Sequence, residues 1–263
     1  MLTMRQRFGS LVVVAVLAAL SVVSLAFGRV GQGGRRFRGF NFIQQNEPPS
    51  TEFIFARWRY GTGRYRGDGW SHDYPVAEQH ILQVMKETSL IEVENTSYRI
   101  VELGSPEIFQ YPFSYISEPG EMLLTDAEVL NLRAYIDRGG FVMVDDFGGQ
   151  GQGPREFENL RSNLRRAFPD REIVNLDNSH TIFHTLYDIN SLNAVHPMTG
   201  VKSIFFGFPD GRGGLSMIIC YNNDVGDFWE FIDNARYPVE PSAEALKLGL
   251  DFVLYAMTRS GAL

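Results

Sequence analysis

Cys220 is the only cysteine in this 263-residue chain. A lone thiol excludes an internal disulfide framework and a multi-cysteine zinc site. Positive charge is also short. The 24 Lys and Arg against 31 Asp and Glu leave a formal net of −7, so binding driven mainly by nucleic-acid phosphates is not expected. No internal repeat recurs, and no Gly-x-Ser-x-Gly elbow marks a serine hydrolase. The glycine-rich stretch Gly61–Trp70 lacks the lysine and the Ser/Thr of a P-loop, and its glycines do not fit dinucleotide spacing. What remains is a composition of 44% hydrophobic, 21% charged and 13% aromatic residues, that of a packed globular protein rather than a disordered one.

The charge is unevenly placed. Arg5, Arg7, Arg29, Arg35, Arg36 and Arg38 precede residue 50, whereas every acidic residue except Glu47 follows it. An acidic body, which repels polyanions, therefore follows a basic N-terminal segment. Within that segment Arg5 and Arg7 lead into Leu11–Phe27, an apolar run interrupted only by Ser21 and Ser24. Residues 1–27 read as a secretory signal peptide cleaved after Ala26, or as an uncleaved membrane anchor. Either reading places the body outside the cytoplasm, periplasmic or membrane-anchored. Residues 28–50 read as a flexible Gly/Arg/Pro-rich linker, and residues 51–263 as one domain.

From Thr51 onward strand and helix signals alternate. Phe53–Tyr60, Arg99–Leu103 and Tyr111–Ser117 are strand-like, and Pro75–Leu90 has helical periodicity. Thr125 followed by Glu128 forms a capping-box pattern, and Val129, Leu132 and Ile136 recur at helical spacing until Gly139-Gly140. Phe141–Val144 is an apolar strand ending at Asp145-Asp146, and helix Pro154–Phe168 and strand Glu172–Leu176 follow. Ile204–Phe208 and Leu215–Tyr221 flank a Pro-Asp-Gly hairpin, and Pro241–Met257 reads as the closing helix. The expected fold is α/β: helices on both faces of a mostly parallel sheet, with a C-terminal antiparallel hairpin.

The segments Arg57-Trp58-Arg59-Tyr60-Gly61, Gly69-Trp70, Tyr111-Pro112-Phe113-Ser114-Tyr115, Gly139-Gly140-Phe141-Val142 with Asp145-Asp146, and Ser179-His180-Thr181-Ile182-Phe183 occur in an order that resembles domain of unknown function family 4159. The likeness runs from about Phe53 to Thr258. The resemblance implies a flavodoxin-like three-layer sandwich of the class I glutamine amidotransferase-like superfamily. It also implies bacterial genes neighbouring MoxR-type ATPases and von Willebrand factor A proteins, and hence such a system as a partner. That superfamily carries a cysteine nucleophile on a sharp strand-to-helix turn. The comparable turn here holds Asp145, Asp146 and Phe147, while Cys220 lies within a late apolar strand and reads as a structural thiol.

In open α/β sheets ligands gather outside the carboxyl ends of strands. On that rule Tyr60, Trp70, Glu118, Asp145, Asp146 and His180 are the candidate ligand-binding residues. Asp145 and Asp146 point to opposite sides of their strand, so at most one faces the functional edge. A metal reading pairs Asp145 or Asp146 with His180, and with His72 or Asp73. Its weak candidates are Asp146 and His180. His180 and His184 share i, i+4 spacing, but Thr181 stands where a zincin motif has glutamate. Asn222-Asn223-Asp224 and Asp227-Phe228-Trp229 follow a strand at the rim; oxygen-rich stretches of this kind can bind calcium, but the EF-hand order is absent and turn chemistry is the favoured reading. No metal or cofactor is expected, and no nucleic acid. The sequence points to an exported cell-envelope protein that binds or assembles, with an unidentified small molecule or envelope protein as partner. The alternative is a metal-assisted hydrolase acting on a sugar or peptide derivative.

Overall fold

A computed structural model describes residues 45–62, 68–148, 151–234 and 236–259. The apolar run Leu11–Phe27, most of the expected linker, and Tyr65 in the glycine-rich loop lie outside the described residues. No helix among the described residues is long and apolar enough to cross a membrane.

Seven strands form one sheet: β1 (Phe55–Arg59), β2 (Tyr98–Glu102), β3 (Phe113–Ile116), β4 (Phe141–Val144), β5 (Val174–Asn175), β6 (Ile204–Pro209) and β7 (Leu215–Tyr221). Their order is β2-β1-β3-β4-β7-β6-β5. The first five in that order run parallel, β6 is antiparallel to β7, and β5 is antiparallel to β6. The mostly parallel sheet and the late hairpin thus agree with the sequence reading. Glu172–Leu176 is the weakest match, because only two of its residues pair, at the far edge.

Alternation along each strand sorts side chains onto two faces. Phe55, Phe141, Met143, Ile218 and Cys220 meet helices α1 (Val76–Thr88) and α5 (Val239–Thr258), along with the short α4 (Val225–Glu230). Ala56, Trp58, Val142, Val144, Met217 and Ile219 meet α2 (Asp126–Asp137) and α3 (Gly153–Ala167). Two cores separated by a sheet buried on both sides make a three-layer sandwich.

Helix α2 shows how local the specification is. Thr125 Oγ1 accepts from the Glu128 amide at 3.3 Å, and Glu128 Oε2 accepts from the Thr125 amide at 2.8 Å. This reciprocal cap satisfies two otherwise orphaned amides. At the β2 edge, Gln45 Nε2 donates to the Ile100 carbonyl at 2.8 Å and Asn46 Nδ2 to the Tyr98 carbonyl at 2.7 Å. The last residues of the expected linker are thus stitched to the domain. Thr125→Ala is expected to cost about 1 kcal/mol of unfolding free energy, measured as a shifted urea midpoint with unchanged slope.

Candidate functional site

The carboxyl ends of β1, β3, β4 and β7 meet at one rim, and the turns that leave them carry most of the polar groups discussed below. Beyond β1 the chain returns through a 3-10 turn, Gly69–Ser71, to His72, Asp73 and α1. What fixes this return is Arg57. Its position in β1 turns its side chain into the α1 face, where it is 1% exposed. It pairs through Nε with Glu78 of α1, and Nη1 donates to the carbonyls of Trp70 at 3.0 Å and His72 at 2.8 Å. Its guanidinium also lies 4.6 Å from the Tyr115 ring centre. Burial opposes the charge, but Glu78 and neighbouring groups outweigh it and hold the pKa above the ordinary arginine value. Removing one partner of a buried pair leaves the other charge uncompensated. Arg57→Met is therefore expected to cost about 3–5 kcal/mol in urea unfolding, with part regained in Arg57→Met/Glu78→Leu.

Asp146 follows β4 by two residues in a left-handed conformation, φ 63°. Its Oδ2 accepts from Ser117 Oγ at 3.0 Å and lies 3.3 Å from His72 Nδ1. The same nitrogen lies 3.3 Å from Glu118 Oε1, so the imidazole bridges two carboxylates. Asp145 points the other way. Its Oδ2 accepts from the Tyr115 hydroxyl at 3.0 Å and from the Gly226 amide at 2.8 Å, while its Oδ1 has no partner. Gly226 lets α4 come this close, since a Cβ there would sit 2.5 Å from Asp73 Oδ2 and 2.8 Å from the Tyr115 hydroxyl. Asp224 caps α4 by accepting from the Asp227 amide at 3.0 Å.

Carboxylate and imidazole atoms converge in three overlapping groups: His72, Glu118 and Asp146; Asp73, Asp146 and Asp224; and Asp73, Asp227 and Glu230. Within each, ligand atoms lie no more than 4.8 Å apart. They border an open cleft of about 620 Å³, whose walls also carry Glu156, Arg155 and Arg236. Among the described residues, the non-glycine positions with positive φ are Asp73, Glu118, Asp146 and Asn222, all at this rim. Strained backbone of this kind concentrates where a fold holds functional groups in place.

The rim groups perturb one another. Burial, then repulsion from Asp146, raises Asp73 and Asp224 well above the ordinary carboxylate range. Burial also raises Asp145, Asp227, Glu118 and Glu230. His72 is raised as well, to about 10, but for the opposite reason: Asp146 and Glu118 hydrogen-bond its charged form and favour it.

The sequence candidates separate in space. Glu118 and Asp146 line the cleft, and Asp145 lies directly behind it, wholly buried. Tyr60 is also buried, with its hydroxyl 2.7 Å from the carbonyls of both Ser117 and Glu118, so it positions the β3 turn. Trp70 packs inward at 7% exposure and its carbonyl accepts from Arg57, so no stacking surface is offered. His180 stands apart from the rim. Its Nδ1 accepts from the Ile182 amide, and its ring lies 6.1 Å from Tyr255. Tyr255 in turn packs on Phe141 and bonds the Leu215 amide, at the starts of β4 and β7. His180 thus belongs to the opposite end of the sheet, and the pairing of Asp146 with His180 does not form. His184 likewise bonds locally, to the Asn178 carbonyl. His72 takes the place His180 was expected to fill. Arg155 and Arg236 carried no sequence signal, because only the β4–β7 adjacency and the return of α3 bring them to this cleft, and Glu230 joins only through its closeness to Asp73 and Asp227.

Two carboxyls outside the aspartate cluster add to the pH dependence that the raised rim carboxyls create. Burial lifts Glu156 to about 7 and Asp251 to about 6. Each takes up a proton in the folded state at a pH where the unfolded carboxyl has lost it. That stability is complete below the ordinary carboxylate pKa and falls as pH rises through 6–7. His72 adds in the same sense, its stabilisation fading as pH climbs from the ordinary histidine value toward about 10. The thermal midpoint is expected to rise as pH is lowered from about 8 to about 5.5, with a shallower slope in Glu156→Gln.

A model of one protein family, Domain of unknown function (DUF4159), matches residues 54–257. No curated protein matches. With most of its length inside that match, the chain belongs to the DUF4159 family.

Proposed function

We propose that this is an exported binding or assembly module of the cell envelope that uses the acidic carboxyl-edge cleft and performs no amidotransferase chemistry. The observation that carries the reading is the state of the thiol. Cys220 is 0% exposed within β7, facing α1 and α5, and burial pushes its pKa well above the ordinary value. A thiol so placed is neither ionised nor reachable. The parallel strands run in the order β2-β1-β3-β4-β7, which is the order of flavodoxin-like sheets, and this supports the superfamily reading. On that reading, the turn after β4 where the superfamily carries its nucleophile holds Asp145 and Asp146. Export is supported by Arg5 and Arg7 ahead of the apolar Leu11–Phe27, and an envelope partner such as a MoxR-type ATPase system follows from the family resemblance.

The test is a thermal-shift screen of the folded body against envelope metabolites and peptides, combined with thiol labelling. Stabilising compounds should lose their effect in Glu118→Gln and Asp146→Asn and keep it in Cys220→Ala. Cys220 should stay unlabelled by iodoacetamide until the chain is denatured. Glutamine hydrolysis abolished by Cys220→Ala would overturn the reading.

A further inference from the structure

We infer that Asp73, Asp146 and Asp224 form a binding site for a hard divalent cation. This deepens the cleft reading above and rests on it. The three carboxylates come from separate segments: the return after β1, the turn after β4, and the cap of α4. Their ligand oxygens lie within 4.8 Å of one another. Oxygens on opposite sides of a bound Mg²⁺ are about 4.0–4.2 Å apart, and around Ca²⁺ about 4.6–5.2 Å, so the three can share one ion.

An independent observation points to a missing ligand. Asp73 Oδ2 is sealed from solvent and has no hydrogen-bond partner. Asp146 and Asp224 are themselves only 7% and 5% exposed, while Asp73 is half-buried where it lines the cleft. A buried unpaired carboxylate oxygen is costly, and a cation would relieve it while offsetting the repulsion among the three neighbouring carboxyls. The neighbouring charges do not supply it. Arg57 is engaged by Glu78 and two carbonyls. His72 is held between Asp146 and Glu118, which leaves that group internally paired, and Asp227 is bound by the Tyr237 hydroxyl. Asp73, Asp227 and Glu230 also form an all-carboxylate group, but Tyr237 occupies an Asp227 oxygen there, whereas Asp73, Asp146 and Asp224 present carboxylates from three separate segments. All-oxygen donors select Mg²⁺, Mn²⁺ or Ca²⁺ over softer metals. The adjoining cleft leaves room for the waters such ions retain.

The experiment measures Mn²⁺ directly by electron paramagnetic resonance on chelator-treated protein, with Mg²⁺ and Ca²⁺ as competitors. One Mn²⁺ should bind per chain and be displaced by one of the two competitors. Binding should weaken about ten-fold or more in Asp73→Asn and in Asp224→Asn. Both variants suit the fold, since asparagine tolerates the positive φ at residue 73 and caps helices as well as aspartate. Circular dichroism and an unchanged urea midpoint would verify folding. Mn²⁺ affinity unaltered in both folded variants, or no bound Mn²⁺ at millimolar concentration, would overturn the inference. Organic ligands that still bind in chelated buffer would show the cleft reading standing after the cation site has failed. Mn²⁺ bound as expected, with no organic ligand found, would show the reverse.

Discussion

A single buried cation organises the rim. Arg57 occupies a strand position whose neighbours on the same face, Phe53 and Phe55, are apolar, and it tolerates that position only because Glu78 and two carbonyls meet it there. Those carbonyls belong to the segment that returns from β1 to α1. The same contacts that keep a guanidinium inside the protein therefore decide where His72 and Asp73 stand. A loop that would otherwise be positioned only by its own weak preferences inherits the rigidity of the sheet. Gly226 performs the matching service from the other side, letting α4 close against Asp73 and Tyr115.

Much of the fold was legible because its determinants are local. The Thr125–Glu128 cap, the helix it opens and the apolar β4 were readable within a twenty-residue window, and the observed elements agree closely. The site was half legible. Strand-end logic pointed to Glu118, Asp145 and Asp146, all at the rim. The same logic placed His180 there because it follows a strand, yet after β5 the chain turns across the α5 face, where Ile182 and Phe183 enter the core. Nothing in the spacing of residues 172–184 announces that reversal. Asp224 and Asp227 read as turn residues because their neighbour β4 lies some eighty positions earlier, and that adjacency is a property of the sheet order. Trp70 was a candidate because it ends a glycine-rich loop beyond a strand, and its side chain instead fills the core.

The rim concentrates unfavourable terms: left-handed backbone at Asp73, Glu118, Asp146 and Asn222, and several carboxyls pushed toward their neutral forms. Each strained residue costs on the order of 1–3 kcal/mol. The two apolar layers that flank the sheet hold the arrangement in place, with Trp58, Tyr115, Tyr135 and Trp229 wholly enclosed. Stability and function are thus spatially divided between the body of the sandwich and one end of it.

The stitching of Gln45 and Asn46 onto β2 has a consequence for life at high density. An unprotected outer strand offers free carbonyls to any neighbouring chain and seeds fibrillar stacking. Here side-chain amides occupy the carbonyls of Tyr98 and Ile100, and at the other margin β5 is only two residues long. Many copies crowded together would therefore find no long template for adding strand to strand.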